Sequence, residues 1–199
     1  MLEHIGARVR KKLEALPFVK IAGGYTEPIV RDDNGTPRTF AACRPWPGAP
    51  CDATSDYVNL SPHDGAGCVA FVDGLEEVRV VRSTGRYDDI ETVFRVVVWY
   101  DERQVLVGDN SDTARALANE IIKAVQGTDF ETEGLPHGRA RYFSSTNFAN
   151  NIWSRYGMGV DDRALFVHPY RTFAVSFKFN ARYVPACFCA DIITTAKVC

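Results

Sequence analysis

The stretch Thr92-Val-Phe-Arg-Val-Val-Val-Trp-Tyr100 is the strongest β-strand signal in the chain. Every residue in it except Arg95 is β-branched or aromatic, a composition that fits a pleated, buried surface. A second β-rich run, Glu77-Val-Arg-Val-Val-Arg82, precedes it, and turn-forming residues 83–89 separate the two. We therefore predict two consecutive strands in the middle of the chain.

An amphipathic helix is predicted after these strands. We expect Asn110 or Ser111 to cap its first turn and Gly127 to end it. Its apolar stripe has helical spacing and consists of Ala114, Leu117, Ala118, Ile121, Ile122 and Val125. The stripe predicts that this helix packs back against the sheet.

The N-terminal region predicts another amphipathic helix, which Pro17 is expected to end. Its apolar positions are Leu2, Ile5, Val9, Leu13 and Leu16, and its opposite face carries Arg8, Arg10, Lys11, Lys12 and Glu14. Residues 18–22 predict a short strand that leads into a turn at Gly23-Gly24. Asn34-Gly35 predicts a tight hairpin turn, because both residue types tolerate positive φ.

A long irregular loop is predicted from Cys43 to Gly67, which contains four prolines, with a short strand at residues 57–60. Loops of this length are usually functional or ordered by a partner, although a flexible insertion remains an alternative.

Two further strands are predicted at residues 139–143 and 172–179. In the second, Phe173, Val175, Phe177 and Phe179 alternate with Thr172, Ala174, Ser176 and Lys178. Because alternate strand residues point to opposite faces, one face is expected to be buried and the other to meet water. We expect the buried face to lie under Leu117, Ile121 and Val125.

These elements predict an α+β fold, a mostly antiparallel sheet with two amphipathic helices packed on one face. We expect a single domain over residues 1–183, including the Pro-rich loop 43–67, and a cysteine-bearing C-terminal extension over residues 184–199. The composition, with 46% hydrophobic and 24% charged residues, is ordinary for a soluble globular protein.

Charge and hydropathy exclude several classes of protein. The chain has 23 Lys and Arg against 25 Asp and Glu, which argues against a general nucleic-acid coat or a membrane-surface protein. No apolar run approaches the ~20 residues that span a bilayer, and the charged N-terminus is unlike a signal peptide. We therefore expect synthesis in the cytoplasm and no membrane partner.

The sequence contains no recognisable catalytic motif, so no catalytic, cofactor-binding or metal site is predicted and no cofactor is expected. The four histidines are scattered and no two lie within one helical turn. Cys187-x-Cys189 and Cys43-x₇-Cys51 have poor spacing for structural zinc. Asp32-Asp-Asn-Gly35 lacks the alternating ligands of a calcium loop.

The order of elements carries a resemblance. An N-terminal helix is followed by DYVNLS (Asp56–Ser61) and by a strand pair that ends in ETVFRVVVWYDERQ (Glu91–Gln104). The helix SDTARALANEIIKAVQG (Ser111–Gly127) comes next, and the aromatic strand YRTFAVSFKFNARY (Tyr170–Tyr183) completes the set. This order resembles the tail-terminator and tail-completion neck proteins of tailed bacteriophages. The Pro-rich loop and the cysteine-bearing extension depart from it.

The resemblance implies a structural virion protein at the head–tail junction, assembled in the host cytoplasm. It implies a ring, six subunits in the family, that caps the tail tube and joins the tail to the head connector. The implied partners are other copies of the chain, the tail-tube protein, the sheath protein, the connector and genomic DNA passing through without specific binding. Two alternatives stay open: a monomeric binding module, and a cysteine- or metal-dependent enzyme with an unrecognised site.

Three of the six cysteines lie within the last thirteen residues. Cytoplasmic thiols normally stay reduced, but a virion enters an oxidising medium after lysis. We therefore predict interchain disulfides from Cys187, Cys189 or Cys199, either to Cys43, Cys51 or Cys68 of another subunit or to a different tail protein.

Overall fold

The computed structural model describes residues 2–33, 35–43, 57–63, 65–75, 77–85, 87–105, 113–126, 138–146, 152–158 and 164–183. These residues include two α-helices, α1 (Leu2–Glu14) and α2 (Thr113–Val125). The strands are β1 (Ile21–Asp33), β2 (Thr36–Cys43), β3 (Val58–Asn59), β4 (Cys68–Gly74), β5 (Arg79–Ser83), β6 (Asp88–Asp101), β7 (Gly138–Thr146) and β8 (Tyr170–Tyr183). The predicted α+β class is confirmed.

The strands form one sheet with the order β3-β2-β1-β4-β6-β8-β7, and β5 pairs with β6 off this path. Strand β6 is central. One of its edges pairs with β4 through residues 94–100 and with β5 through residues 88–91. Its other edge pairs with β8 along its whole length. All pairings are antiparallel except β1 with β4, so the prediction of a mostly antiparallel sheet is confirmed.

Both helices cover the same face of the sheet, as predicted. Their buried apolar residues join a single core with alternate residues of β4, β6 and β8. That core contains Leu117, Ile121 and Val125 of α2 together with Phe173, Val175, Phe177 and Phe179 of β8. The predicted register of β8 under α2 is therefore confirmed.

The opposite face of β8 is buried over residues 172–176, which corrects the prediction of a wet face there, whereas the Lys178 side chain is 43% exposed as predicted. Thr172, Ala174 and Ser176 are at most 9% exposed. A second core covers them, in which residues 152–158 and 165–166 pack on the sheet. The Trp153 indole donates a hydrogen bond to Thr172 Oγ1 at 3.0 Å, and Thr172 donates to the Val98 carbonyl at 2.8 Å. The polar side chain is tolerated on this face because it is hydrogen-bonded.

Gly23-Gly24 does not form a turn, contrary to the prediction, because β1 runs through it from Ile21 to Asp33. Gly23 serves close packing instead, because a Cβ at this position would lie 2.2 Å from Leu60 Cδ1. On the helical side of β1, a Cβ at Gly6 of α1 would lie 2.3 Å from the Tyr25 backbone nitrogen. The helix therefore approaches β1 at a distance that side chains would prevent.

The hairpin turn at residues 34–35 is confirmed, since Asp33 pairs with Thr36 and Gly35 has a φ of 85°. The short strand predicted inside the Pro-rich loop is β3. Arg10, which was assigned to the polar face of α1, is buried and bonds Glu14. Residues 44–56 and 64 of this loop, both ends of the predicted second helix (110–112 and 127) and the extension 184–199 lie outside the described residues.

Candidate functional site

Strands β5, β6, β8 and β7 lie side by side at one end of the sheet, beyond the residues of β6 that pair with β4. In one row across this end, Val80 of β5 pairs with Ile90 of β6, Ile90 with Ala181 of β8, and Ala181 with Gly138 of β7. Strands β5 and β7 are the two outer strands, and neither has a second partner strand within the described residues. We call this four-stranded part the distal sheet.

The β5 edge of the distal sheet carries two adjacent exposed valines, and no other described strand covers it. Val80 and Val81 are 58% and 59% exposed, and the remaining residues of β5 are exposed too. All five residues of β5 are exposed, so both faces of this strand lie beyond the two cores, and its pairing register with β6 shifts between Val80 and Arg82. Leu75 and Val78, which precede β5 in the chain, are exposed as well. Open backbone groups beside exposed valines favour the addition of another strand.

The β7 edge presents aromatic residues instead. Tyr142 and Phe143 are 43% and 63% exposed, and the pairing register shifts between Tyr142 and Ser144. The start of β7 is held firmly, since a Cβ at Gly138 would lie 2.1 Å from the Phe179 ring. Exposed aromatic side chains on an anchored strand are typical of protein–protein contacts.

Ion pairs cross the strands of the distal sheet. Arg182 of β8 donates to Asp89 of β6 at 2.9 Å, and its guanidinium lies 4.0 Å from the centre of the Tyr87 ring. Lys178 lies 2.7 Å from Glu91 on the same pair of strands. Each exposed pair contributes little to stability, but together they fix side-chain positions between the two edges.

A buried carboxylate attaches residues 152–158 to the sheet. Asp73, at the end of β4, is fully buried and accepts hydrogen bonds from Arg95 at 2.8 Å and from Arg155. Arg155 also donates to the Gly74 carbonyl at 2.8 Å, and Arg95 to the Ile152 carbonyl at 3.4 Å. Two arginines supply the hydrogen bonds that a buried charge requires.

Two tyrosines border this ionic cluster. Burial raises the pKa of the Tyr156 hydroxyl, and the negative charge of Asp73 adds to the effect. Burial also raises the pKa of Tyr25, although Arg155 opposes it. Both phenols therefore stay protonated near neutral pH, and the cluster serves to position residues 152–158.

A second ionic cluster lies at the C-terminal end of β6, away from the distal sheet. Asp101 is fully buried, and Arg103 donates to both of its oxygens, at 2.9 Å and 2.7 Å. Arg103 holds the pKa of Asp101 at about 2, below its usual range. The Arg103 side chain also bonds Tyr170 at 3.1 Å. This cluster fixes the start of β8 against the end of β6.

The cysteines proposed for interchain bridges fall into two groups. Cys43 and Cys68 are 3% and 0% exposed, and burial raises the pKa of Cys68 to about 12. Within the folded subunit these two thiols are shielded, so a bridge to either would require local opening. The other candidates, Cys51, Cys187, Cys189 and Cys199, lie outside the described residues.

The described residues contain no group of three or more His, Cys, Asp or Glu side chains arranged to hold a metal ion. Neither of the described helices is long and apolar enough to cross a bilayer. Of the histidines, His168 lies 3.2 Å from Glu102 at the surface.

The sequence predicted strands at the positions of β5 and β7, but it did not predict that both would be exposed edge strands. The adjacent Val80 and Val81 are a usable signal, because an alternating pattern would bury one and expose the other. Tyr142-Phe143 is a similar pair. Comparisons with protein-family models and with curated proteins found no match to this chain.

Proposed function

We propose that the protein is a ring-forming structural subunit of the neck of a tailed bacteriophage, a tail terminator that caps the tail tube and joins the tail to the head connector. The viral role rests on the resemblance in the order of elements. The ring rests on one observation: the distal sheet has two unlike edges on opposite sides, each with an exposed apolar pair, Val80-Val81 on β5 and Tyr142-Phe143 on β7.

Unlike edges on opposite sides favour a head-to-tail contact, in which β5 of one subunit meets β7 of the next. A contact between different surfaces generates a ring when the rotation closes. The resemblance implies six subunits. A symmetric β5–β5 contact is disfavoured, because antiparallel pairing about Val80-Val81 places Arg79 of each copy opposite Arg82 of the other.

The charge of the chain fits a conduit for DNA. With a formal charge of −2, the subunit carries no excess of Lys and Arg that would hold a passing duplex. The proposed protein partners are the tail-tube protein, the sheath protein and the connector, which would meet the ring on its two faces.

The test uses two edge variants that change exposed residues. One carries Val80→Asp and Val81→Asp, and the other carries Tyr142→Asp and Phe143→Asp. Neither variant should self-associate. A mixture of the two retains one intact β5–β7 contact and should form a heterodimer, measured by sedimentation with tail-tube subunits present.

The wild-type chain serves as the positive control and should form a closed oligomer under the same conditions. A symmetric contact predicts no rescue on mixing, and that result would refute the head-to-tail ring. A wild-type chain that stays monomeric there would favour a binding module, and stoichiometric metal in the purified protein would favour an enzyme.

A further inference from the structure

The face of the distal sheet that points away from the helices is open. One row across its four strands consists of Arg79, Glu91, Asn180 and Arg139. Strand neighbours of this row, Ile90, Ala181 and Ala140, lie in the core that α1 and α2 cover. Because consecutive strand residues point to opposite faces, the row itself lies on the other side of the sheet.

The described residues of the four strands place more positive than negative charge on this side. The cationic side chains are Arg79 and Arg82 of β5, Lys178 and Arg182 of β8, and Arg139 and Arg141 of β7. The two carboxylates, Asp89 and Glu91 of β6, form the ion pairs with Arg182 and Lys178. Six cations thus face two carboxylates on this surface, which we call the basic face, although the whole chain has a formal charge of −2.

The basic face is accessible and polar. Its five arginines are at exposed positions, and the Lys178 side chain is 43% exposed. Between the two edge strands, β6 and β8 present no exposed large hydrophobic side chain. The centre of a protein–protein interface is depleted of charge, whereas protein–DNA interfaces are more polar and much more positive. The composition of the basic face therefore favours a nucleic acid over a protein as its partner.

We propose that the basic face binds the phosphate backbone of duplex DNA without sequence preference. Five of its six cations are arginines, and the planar guanidinium group matches the geometry of a phosphate with two parallel hydrogen bonds. Contacts to phosphates position a protein on the duplex but carry no sequence information. The basic face would therefore bind any duplex in the same way.

The separation of the arginines fits a duplex. Strands β5 and β7 lie three strand spacings apart in the distal sheet, or ~14 Å. This distance is comparable to the ~12 Å width of the major groove, so the arginines of the two strands can contact the two phosphate strands beside it. The Tyr87 ring already contacts the Arg182 guanidinium at 4.0 Å, and it is therefore no open platform for the stacking of single-stranded bases.

Binding to DNA requires no ring, but its part in a conduit rests on the proposed function. A β5–β7 contact would place the basic faces of neighbouring subunits side by side, so that they form a continuous band. Sequence-independent binding is weak, with a Kd of about 10⁻⁴–10⁻⁶ M at physiological salt. A contact of this kind would guide a passing duplex without holding it.

Fluorescence anisotropy of the full-length protein with a labelled, mixed-sequence DNA duplex tests the proposal. If four phosphates are neutralised, the slope of log K against log salt should be about −3.6, and affinity should fall about 100-fold between about 50 and 200 mM salt. Two double variants remove two contacts each: Arg79→Gln with Arg82→Gln, and Arg139→Gln with Arg141→Gln. Each should halve the slope, to about −1.8, and weaken binding at low salt at least ~10-fold.

The matched control is Lys11→Gln with Lys12→Gln. Both lysines are exposed on α1, which covers the other side of the sheet, and their loss changes the net charge by the same amount. Because salt screens distant charges, the affinity of this variant should stay within about twofold of the wild type. All three variants should unfold within about 2 °C of the wild type, since the substituted side chains are exposed.

The absence of an anisotropy change at low salt would overturn the proposal, and so would equal weakening by the α1 control. Tighter binding of a single-stranded oligonucleotide, or of a polyglutamate peptide of equal charge, would overturn it and assign the face to another partner. A strong preference among duplexes of different sequence would contradict a backbone contact. The assay uses the isolated chain, so its failure leaves the neck proposal standing, and failure of the neck proposal leaves DNA binding intact.

Discussion

Phe177→Ala is the substitution that best tests the packing of the helical layer on the sheet. Phe177 is fully buried in the core between β8 and α2, and its ring stacks on Phe94 at a centroid distance of 5.4 Å. Truncation of a buried phenylalanine costs about 3–5 kcal/mol, because apolar contacts are lost and a cavity remains. For a chain of this size each kcal/mol lowers Tm by about 2–4 °C, so Tm should fall by about 6–20 °C.

The matched control is Phe143→Ala on the neighbouring strand. The Phe143 side chain is 63% exposed, so the same truncation should change the free energy of unfolding by less than about 0.5 kcal/mol. Urea unfolding followed by tryptophan fluorescence gives both values, since Trp99 and Trp153 are buried. Equal effects of the two substitutions, or a near-neutral effect of Phe177→Ala, would refute the burial of β8 under α2.

Three further predictions concern the ionic clusters and the thiols. Asp73→Ala should destabilise the protein by about 3–5 kcal/mol in urea unfolding, because it leaves the buried Arg95 without its counter-charge. Asp73→Glu is the control, and an unchanged midpoint for Asp73→Ala would contradict the reasoning. The pKa of Asp101 in the folded state is about 2, below its usual value of about 4. Its contribution to stability is therefore present above about pH 4 and lost as the pH falls to 2. Asp101→Asn should flatten the dependence of stability on pH in this range, and a variant profile that runs parallel to the wild-type profile would count against the Arg103 contact. In intact particles, cysteines among Cys187, Cys189 and Cys199 should give reductant-sensitive interchain bands on electrophoresis after alkylation. The buried Cys68 should not react with the alkylating reagent until the protein unfolds. Identical monomer bands with and without reductant would exclude the bridges.

Local sequence patterns predicted the elements that are defined by neighbouring residues. The β-branched run of β6, the apolar stripe of α2 and the Asn-Gly turn each contain their own structural signal, and all three elements are present. Periodicity also placed Phe173 and its alternating partners under α2, because a strand with one strongly aromatic face has a clear preference for the core.

Features that depend on distant contacts were not predictable in this way. Asp73 joins Arg95 and Arg155 across 22 and 82 residues of sequence, and no local pattern links them. The second core was missed because Thr172 and Ser176 are polar in composition but are buried by residues 152–158 and 165–166. Gly23-Gly24 has a turn-like composition, yet Gly23 lies within β1 and leaves space for Leu60 and Phe71, which depends on tertiary packing.

The exposure of β5 was missed for a related reason. A run such as Val78-Arg-Val-Val-Arg82 predicts a strand whether or not another layer covers it. The structure shows that both cores end before β5, so its valines remain exposed. Identifying the exposed β5 edge as a candidate assembly surface therefore requires knowledge of where the two cores end.

The position of the protein in a virion tests the central proposal most directly. Particles assembled with a chain that carries an electron-dense label should be imaged by cryo-electron microscopy. The neck assignment predicts labels confined to the head–tail junction, arranged as one closed ring whose subunits contact each other through β5 and β7. Labels along the tail, on the capsid or absent from purified particles would contradict it.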